Sequence, residues 1–188
     1  MIERPSRPRI LPLREDERDD ALGQLLVLLR TDPQAPELNI FSTLARHGEF
    51  FKVWLPFGGF FLLGGDLPAR DREFLVLRTA FNCRCDYEWG QHLPLAATAG
   101  VTKDDIALIE AGPDAAGLAP LDAALLRAAD ELHAESCISD PTWHALASSY
   151  NERQLIEACA LVGHYHLLAF TLNSLGIERE PGVAELPD

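Results

Sequence analysis

The sequence predicts an all-α fold in a single domain. Apolar residues recur at three- and four-residue spacing in almost every segment, and Gly, Pro and capping residues fall where helices of ordinary length would end. No stretch alternates apolar and polar residues in the period-two pattern of a half-buried strand. With 188 residues, 47% of them hydrophobic, the chain has enough apolar surface for one sizeable core. Residues 1–188 are therefore expected to form one helical domain.

Leu22, Leu25, Leu26, Leu28 and Leu29 mark an amphipathic helix that stops before Asp32-Pro33. A second helix is expected from Asn39 to about Trp54, with Ile40, Leu44 and Phe51 inward, until Pro56-Phe57-Gly58-Gly59 breaks it. The apolar run from Val53 to Gly65 is too short to cross a bilayer and reads as a buried helix and bend. Asp71 is expected to cap a helix carrying Glu73, Phe74, Val76, Leu77 and Ala80 as far as Asn82. Asn82 would cap the next, which carries Cys85 to Ala99, kinks at Pro94 and closes at Gly100. Thr102-Lys103-Asp104-Asp105 has capping-box form and starts a short helix to about Ala111. Beyond a Gly/Pro-rich loop from Gly112 to Pro120, apolar spacing gives a helix over Leu121 to Glu135. Asp140-Pro141 is an N-cap with Pro at the first helical position, and Asn151 opens a long helix from Glu152 to about Leu175 that Gly176 ends.

Charge narrows the function. A formal net charge of −13, with no stripe of Lys and Arg, argues against a nucleic-acid partner. The acidic run Glu15-Asp16-Glu17-Arg18-Asp19-Asp20 reads as a solvated face. Met1 to Pro12 is polar and lacks the apolar stretch that export requires, so a cytoplasmic protein without membrane attachment is expected. Four cysteines without an export signal do not make a disulfide scaffold, and Cys137 and Cys159 are expected to be buried core thiols.

Chemistry concentrates between Asn82 and His92, where Cys83, Cys85, Asp86, Tyr87, Glu88 and His92 fall within eleven residues. On a helix, Cys85, Glu88 and His92 stand at i, i+3 and i+7 and share one face. Glu88 and His92 are an i, i+4 pair in which the carboxylate could orient the imidazole as a general acid or base. Cys85 in a first helical turn would gain thiolate character from the helix dipole and Arg84, against Asp86 and Glu88. Trp89 and Tyr87 suggest that the segment borders a packed cavity. No metal set is complete here, because Cys83-x-Cys85 is not the usual ligand separation. His164 and His166, two apart on a helix, point about 200° apart and do not grip one ion; one is expected in the core and the other at a rim.

Glu73, then Cys85 twelve positions on, then Glu88 and His92, resembles the signature of the carboxymuconolactone decarboxylase family, which includes the alkylhydroperoxidase D proteins. In the peroxidase branch the pattern is Glu, a long gap and Cys-x-x-Cys-x-x-x-His; Glu73, Cys85 and His92 match it, and Glu88 stands where the second cysteine would be. The wording Tyr87 to His92, with Leu44-Ala45-Arg46-His47 and Leu67 to Glu73, is similar to another branch, and the resemblance spans about residues 38 to 111. It implies an alkylhydroperoxidase D-like helical fold whose core is supported by C-terminal helices over 121–176. It also implies a homo-oligomer, commonly a trimer or hexamer, with the site near a subunit contact.

A carboxylate cannot resolve a sulfenic acid, so the two-cysteine cycle is broken at Glu88. The leading expectation is an enzyme without cofactor or metal that uses Glu73, Glu88 and His92, beside Cys85, for acid/base chemistry of decarboxylase or lyase type on a small organic acid or lactone. Tyr87 would donate to a developing enolate or carboxylate, Arg78 could anchor an anion, and His47 could enter the pocket. The alternatives are a thiol hydroperoxidase based on Cys85 with Cys83 or an external thiol resolving, and a non-catalytic ligand-binding oligomer.

Overall fold

A computed structural model describes residues 3–30, 32 and 34–187. The expected helix stop at Pro33 lies outside the described residues. A 3-10 turn at Glu15–Glu17 precedes α1 (Asp20–Leu28), α2 (Asn39–Leu44), α3 (Gly48–Leu63), α4 (Ala69–Asn82) and α5 (Asp86–Thr98). After these come α6 (Lys103–Ala111), α7 (Pro120–Glu135), α8 (Asp140–Ala147) and α9 (Glu152–Leu175), with no strand among the described residues.

Where a cap is written in side-chain chemistry, the expected boundary holds. Thr102 and Asp105 form a capping box, Asn151 accepts from Arg153 and Gln154 N–H groups, and Gly176 ends α9 in the left-handed region at φ 68°. Elsewhere tertiary structure moves the ends. The helix expected from Asn39 to Trp54 is two helices, broken at Ala45–His47, because His47 Nδ1 accepts from the Phe50 N–H and starts α3. The expected break at Pro56 does not occur; α3 runs through it to Leu63. The apolar run within α3 is not uniformly buried either, since Val53 and Leu63 are 72% and 92% exposed. Asp71 is not a cap but a buried acceptor of the Tyr150 hydroxyl at 2.6 Å, in the first turn of a helix whose N-cap is Pro68. Asn82 ends α4 rather than capping α5, and Ser139 rather than Asp140 caps α8, whereas α5 runs through Pro94 to Thr98, close to its expected end. Cys137 is exposed and Cys159 half-buried, so neither is the core thiol expected.

The core is organised around α4, which packs against α5, α7 and α9. Phe74, Leu75, Val76, Leu77 and Ala80 have no exposed surface, so α4 is buried on every side and has no solvated stripe at its middle. Its charged residues find fixed partners instead. Arg70 chelates Asp122 through two nitrogens at 2.7 and 2.9 Å, and Arg78 does the same to Asp130. Arg78 also donates to the terminal carbonyls of α6, so it ties helix ends together and does not anchor an anion. The 24-residue α9 is long and apolar enough by composition to cross a membrane, but it packs on α3, α4, α7 and α8 as a core helix.

The C-terminal segment returns across α5. Gly90 makes this possible, because a Cβ there would collide with Val183 Cγ1 and the Ala184 carbonyl. Glu180, itself buried, accepts from the Asn39 N–H, the Tyr87 hydroxyl and the Gln91 amide, fastening the strap to α2 and α5.

Candidate active site

The turn between α4 and α5 decides where the chemistry goes. Cys83 is the C-cap of α4, Arg84 adopts φ 50°, and hydrogen bonds run from Arg84 N to Phe81 O and from Cys85 N to Ala80 O. This is a Schellman ending with Arg in the place that glycine usually takes, a conformation a side chain adopts only at some cost. The reversal puts Cys85 at the N-cap of α5, not inside its first turn. It also gives the two thiols different neighbours. Cys83 Sγ lies 3.8 Å from His133 Nδ1, whereas Cys85 is fully buried against Glu88; both cysteines are free.

Glu73, Cys85, Glu88 and His92 are all buried where α4 meets α5. His92 Nδ1 is 2.7 Å from Glu73 Oε2, and the other Glu73 oxygen accepts from Arg72 Nε at 2.9 Å. The imidazole is therefore oriented by Glu73, not by Glu88 as the i, i+4 spacing suggests. In the neutral ring, Nδ1–H donates to the acceptor carboxylate, which leaves the Nε2 lone pair for a reacting group. Burial pushes the Glu73 pKa up, but the hydrogen bond and charge of His92, with Arg72, outweigh it and hold the carboxyl below its ordinary 4.5.

Glu88 has the opposite environment. Neither carboxyl oxygen has a hydrogen-bond partner of good geometry, and burial drives its pKa well above 4.5. The nearby Cys85 thiol pulls weakly the other way, too little to offset burial. Cys85 is likewise pushed well above an ordinary thiol pKa, by burial first and then by the Glu88 charge, so the helix dipole does not make it a thiolate. The site thus sets a carboxyl whose pKa is lowered beside one whose pKa is raised, next to a thiol and an oriented imidazole.

The remaining sequence candidates lie elsewhere. The Tyr87 hydroxyl donates to Glu180 at 2.8 Å and accepts from the Ile40 N–H, so it is engaged by the strap. Trp89 is core, packed on Phe81, and His47 is the exposed cap of α3. Two site residues were not anticipated. Arg72 clamps Glu73, and the buried Tyr165 ring meets His92 edge-on at 5.0 Å between centroids. Burial raises the Tyr165 pKa, and the Glu73 and Glu88 charges add to that. Only contact across α9 brings Tyr165 in, and the sequence carries no local signal of it. His164 is the core histidine, sandwiched among Trp54, Phe57 and Phe61 and pushed down to about 4 by burial; His166 is at the rim.

The helical bundle has an alkylhydroperoxidase D-like fold. Residues 48–131 match the model of the carboxymuconolactone decarboxylase family. No curated protein matches the chain in sequence. The fold is similar to the alkylhydroperoxidase AhpD core of an uncharacterized peroxidase-related protein from Ralstonia eutropha JMP134, at 18% identity and a TM-score of 0.80, covering 93% of each chain. An uncharacterized peroxidase-related protein from Silicibacter sp. TM1040 superposes with a TM-score of 0.81 at 13% identity over 97% of each chain. A crystal structure of a variant of the debrominase Bmp8 in complex with 2,3,4-tribromopyrrole gives a TM-score of 0.76 at 12% identity, covering 92% of this chain and 91% of that one. At these identities the likeness shows the fold.

Proposed function

We propose that the protein is an enzyme of acid/base, decarboxylase or lyase type acting on a small organic acid or lactone. The observation that carries this reading is the opposite displacement of two carboxyls in one site: Glu73 held ionised, Glu88 held protonated. Such a divergence separates a base from an acid. The His92–Glu73 pair takes a proton through Nε2, and Glu88 delivers one to the carbanion or enolate that forms as a bond to carbon breaks. Tyr165 walls the imidazole, and Cys85 is the neutral neighbour of the acid. Free thiols suit a reducing compartment, in keeping with a cytoplasmic protein.

The hydroperoxidase alternative needs a thiolate, and both thiols are disfavoured as such: Cys83 is pushed up to about 12, chiefly by burial. Two measurements separate the readings. Across a panel of β-keto acids and lactone acids, Glu88→Gln and His92→Ala are expected to lower turnover at least about a hundredfold, the scale of general acid/base catalysis. One equivalent of hydroperoxide at neutral pH is expected to leave Cys85 reduced by thiol mass mapping. Unchanged turnover in both variants, or stoichiometric oxidation of Cys85, would overturn the acid/base reading.

Glu73, Cys85, Glu88 and His92 are all buried in the single chain. We further propose self-association through the outer face of α3, where Val53, Phe57, Phe60 and Leu63 are exposed at helical spacing. A trimer or hexamer would cover this face. Val53→Glu with Leu63→Glu is expected to reduce the mass measured by light scattering to that of one chain; an unchanged mass would exclude this face.

A further inference from the structure

Outside the acid/base site, three side chains from distant parts of the sequence converge. Cys83 at the α4 C-cap, His133 on α7 and His166 on α9 place one donor atom each within 4.8 Å of one another. His133 Nδ1 is 2.9 Å from His166 Nε2 and 3.8 Å from Cys83 Sγ. The His166 tautomer is set by its other nitrogen, which lies 2.8 Å from the Val162 carbonyl and must donate to it. Nε2 therefore presents a lone pair to the cluster.

Protons alone satisfy this group poorly. If His133 carries its hydrogen on Nδ1, it donates to His166, and the Cys83 S–H has no acceptor in the cluster. If the hydrogen is on Nε2, the Cys83 S–H can donate to Nδ1, but two nitrogen lone pairs then face each other at 2.9 Å. A cation with a thiolate and two neutral imidazoles removes the conflict.

The geometry points to a zinc-class divalent metal site formed by Cys83, His133 and His166, and we propose it as a second site of this protein. Tetrahedral zinc, with Zn–S about 2.3 Å and Zn–N about 2.0 Å, separates sulfur from nitrogen by about 3.5 Å and nitrogen from nitrogen by about 3.3 Å. The observed 3.8 and 2.9 Å differ from these by less than about 0.5 Å, within the reach of small side-chain rotations. The three ligands are buried, exposed and half-buried in turn, so a fourth position would open to solvent and take water or a ligand. Binding releases the Cys83 proton and turns the thiol into a metal-held thiolate. Cys83 is then withdrawn from any exchange with Cys85, and the α4–α5 turn is pinned to α7 and α9.

The test is a titration of the reduced, metal-stripped full chain with Co²⁺, followed by displacement with Zn²⁺. Saturation at one Co²⁺ per chain with a thiolate-to-cobalt charge-transfer band is expected, lost in Cys83→Ser. Affinity is expected to fall at least tenfold in His133→Ala, whose exposed side chain makes its fold safe, and in His166→Ala. His92→Ala is expected to leave the titration unchanged, which separates this site from the acid/base group. Absence of the band, its survival in Cys83→Ser, or its loss in His92→Ala instead would overturn the proposal.

Discussion

Glu73→Ala is expected to lower folding stability by about 3–5 kcal/mol at neutral pH, the cost of removing one partner from a buried charged network. Glu73 has no exposed surface and holds Arg72 and His92 on separate oxygens, and both partners are themselves largely buried. The truncation strands both of them and leaves a cavity between α4 and α5. The effect has a pH signature. The Glu73 pKa is lower in the folded chain than its ordinary 4.5, so the folded state binds fewer protons than the unfolded one as the pH falls through that range. Its contribution is fully present above about pH 4.5 and is lost as the pH falls through the folded value. Urea denaturation of wild type and variant should therefore show the largest gap near neutrality and a closing gap in acid. A gap below about 1 kcal/mol, or one that does not change with pH, would mean that the network is not the buried ion pair described.

The sequence made this pair visible in one respect and hid it in another. Glu73, Cys85 and His92 were legible because a family motif spaces them, and Glu88 because it departs from that motif. The partner of the imidazole was not legible. Spacing on α5 favours Glu88, four residues away, but the α4–α5 crossing brings Glu73 nearer, and it is Glu73 that bonds His92. Tyr87 shows the same limit from the other side. Its position suggested a substrate donor, yet a strap from the far end of the chain supplies Glu180 to its hydroxyl. Helix ends follow a similar rule: Thr102, Asn151 and Gly176 act through their own backbone neighbourhood and could be read, whereas His47 acts as a cap only because its ring turns back on Phe50. The three-way meeting of Cys83, His133 and His166 had no local signature, since each residue comes from a different element.

Glu88→Gln should separate from wild type in the opposite direction as pH rises. The unfolded chain releases the Glu88 proton at an ordinary carboxyl pKa near 4.5, and the folded chain keeps it to a much higher pH because the buried carboxylate would have no partner. Between those two values the native state holds one proton more than the unfolded state, so this group makes wild type less stable by about 1.4 kcal/mol for each pH unit. The amide has no such proton to lose. Burying its unpaired NH₂ adds a cost of its own, but that cost is independent of pH, so the slope of the difference is the quantity to read. For a chain of this length the midpoint of thermal unfolding should move in favour of the variant by about 3–6 °C per pH unit above about pH 4.5. Parallel curves would show that Glu88 ionises in the folded protein and would remove the acid from the mechanism. If the curves diverge while turnover falls, the same residue weakens the fold and supplies the reaction. A carboxyl that only filled space could be replaced by the amide without loss of turnover, whereas one kept for its proton could not.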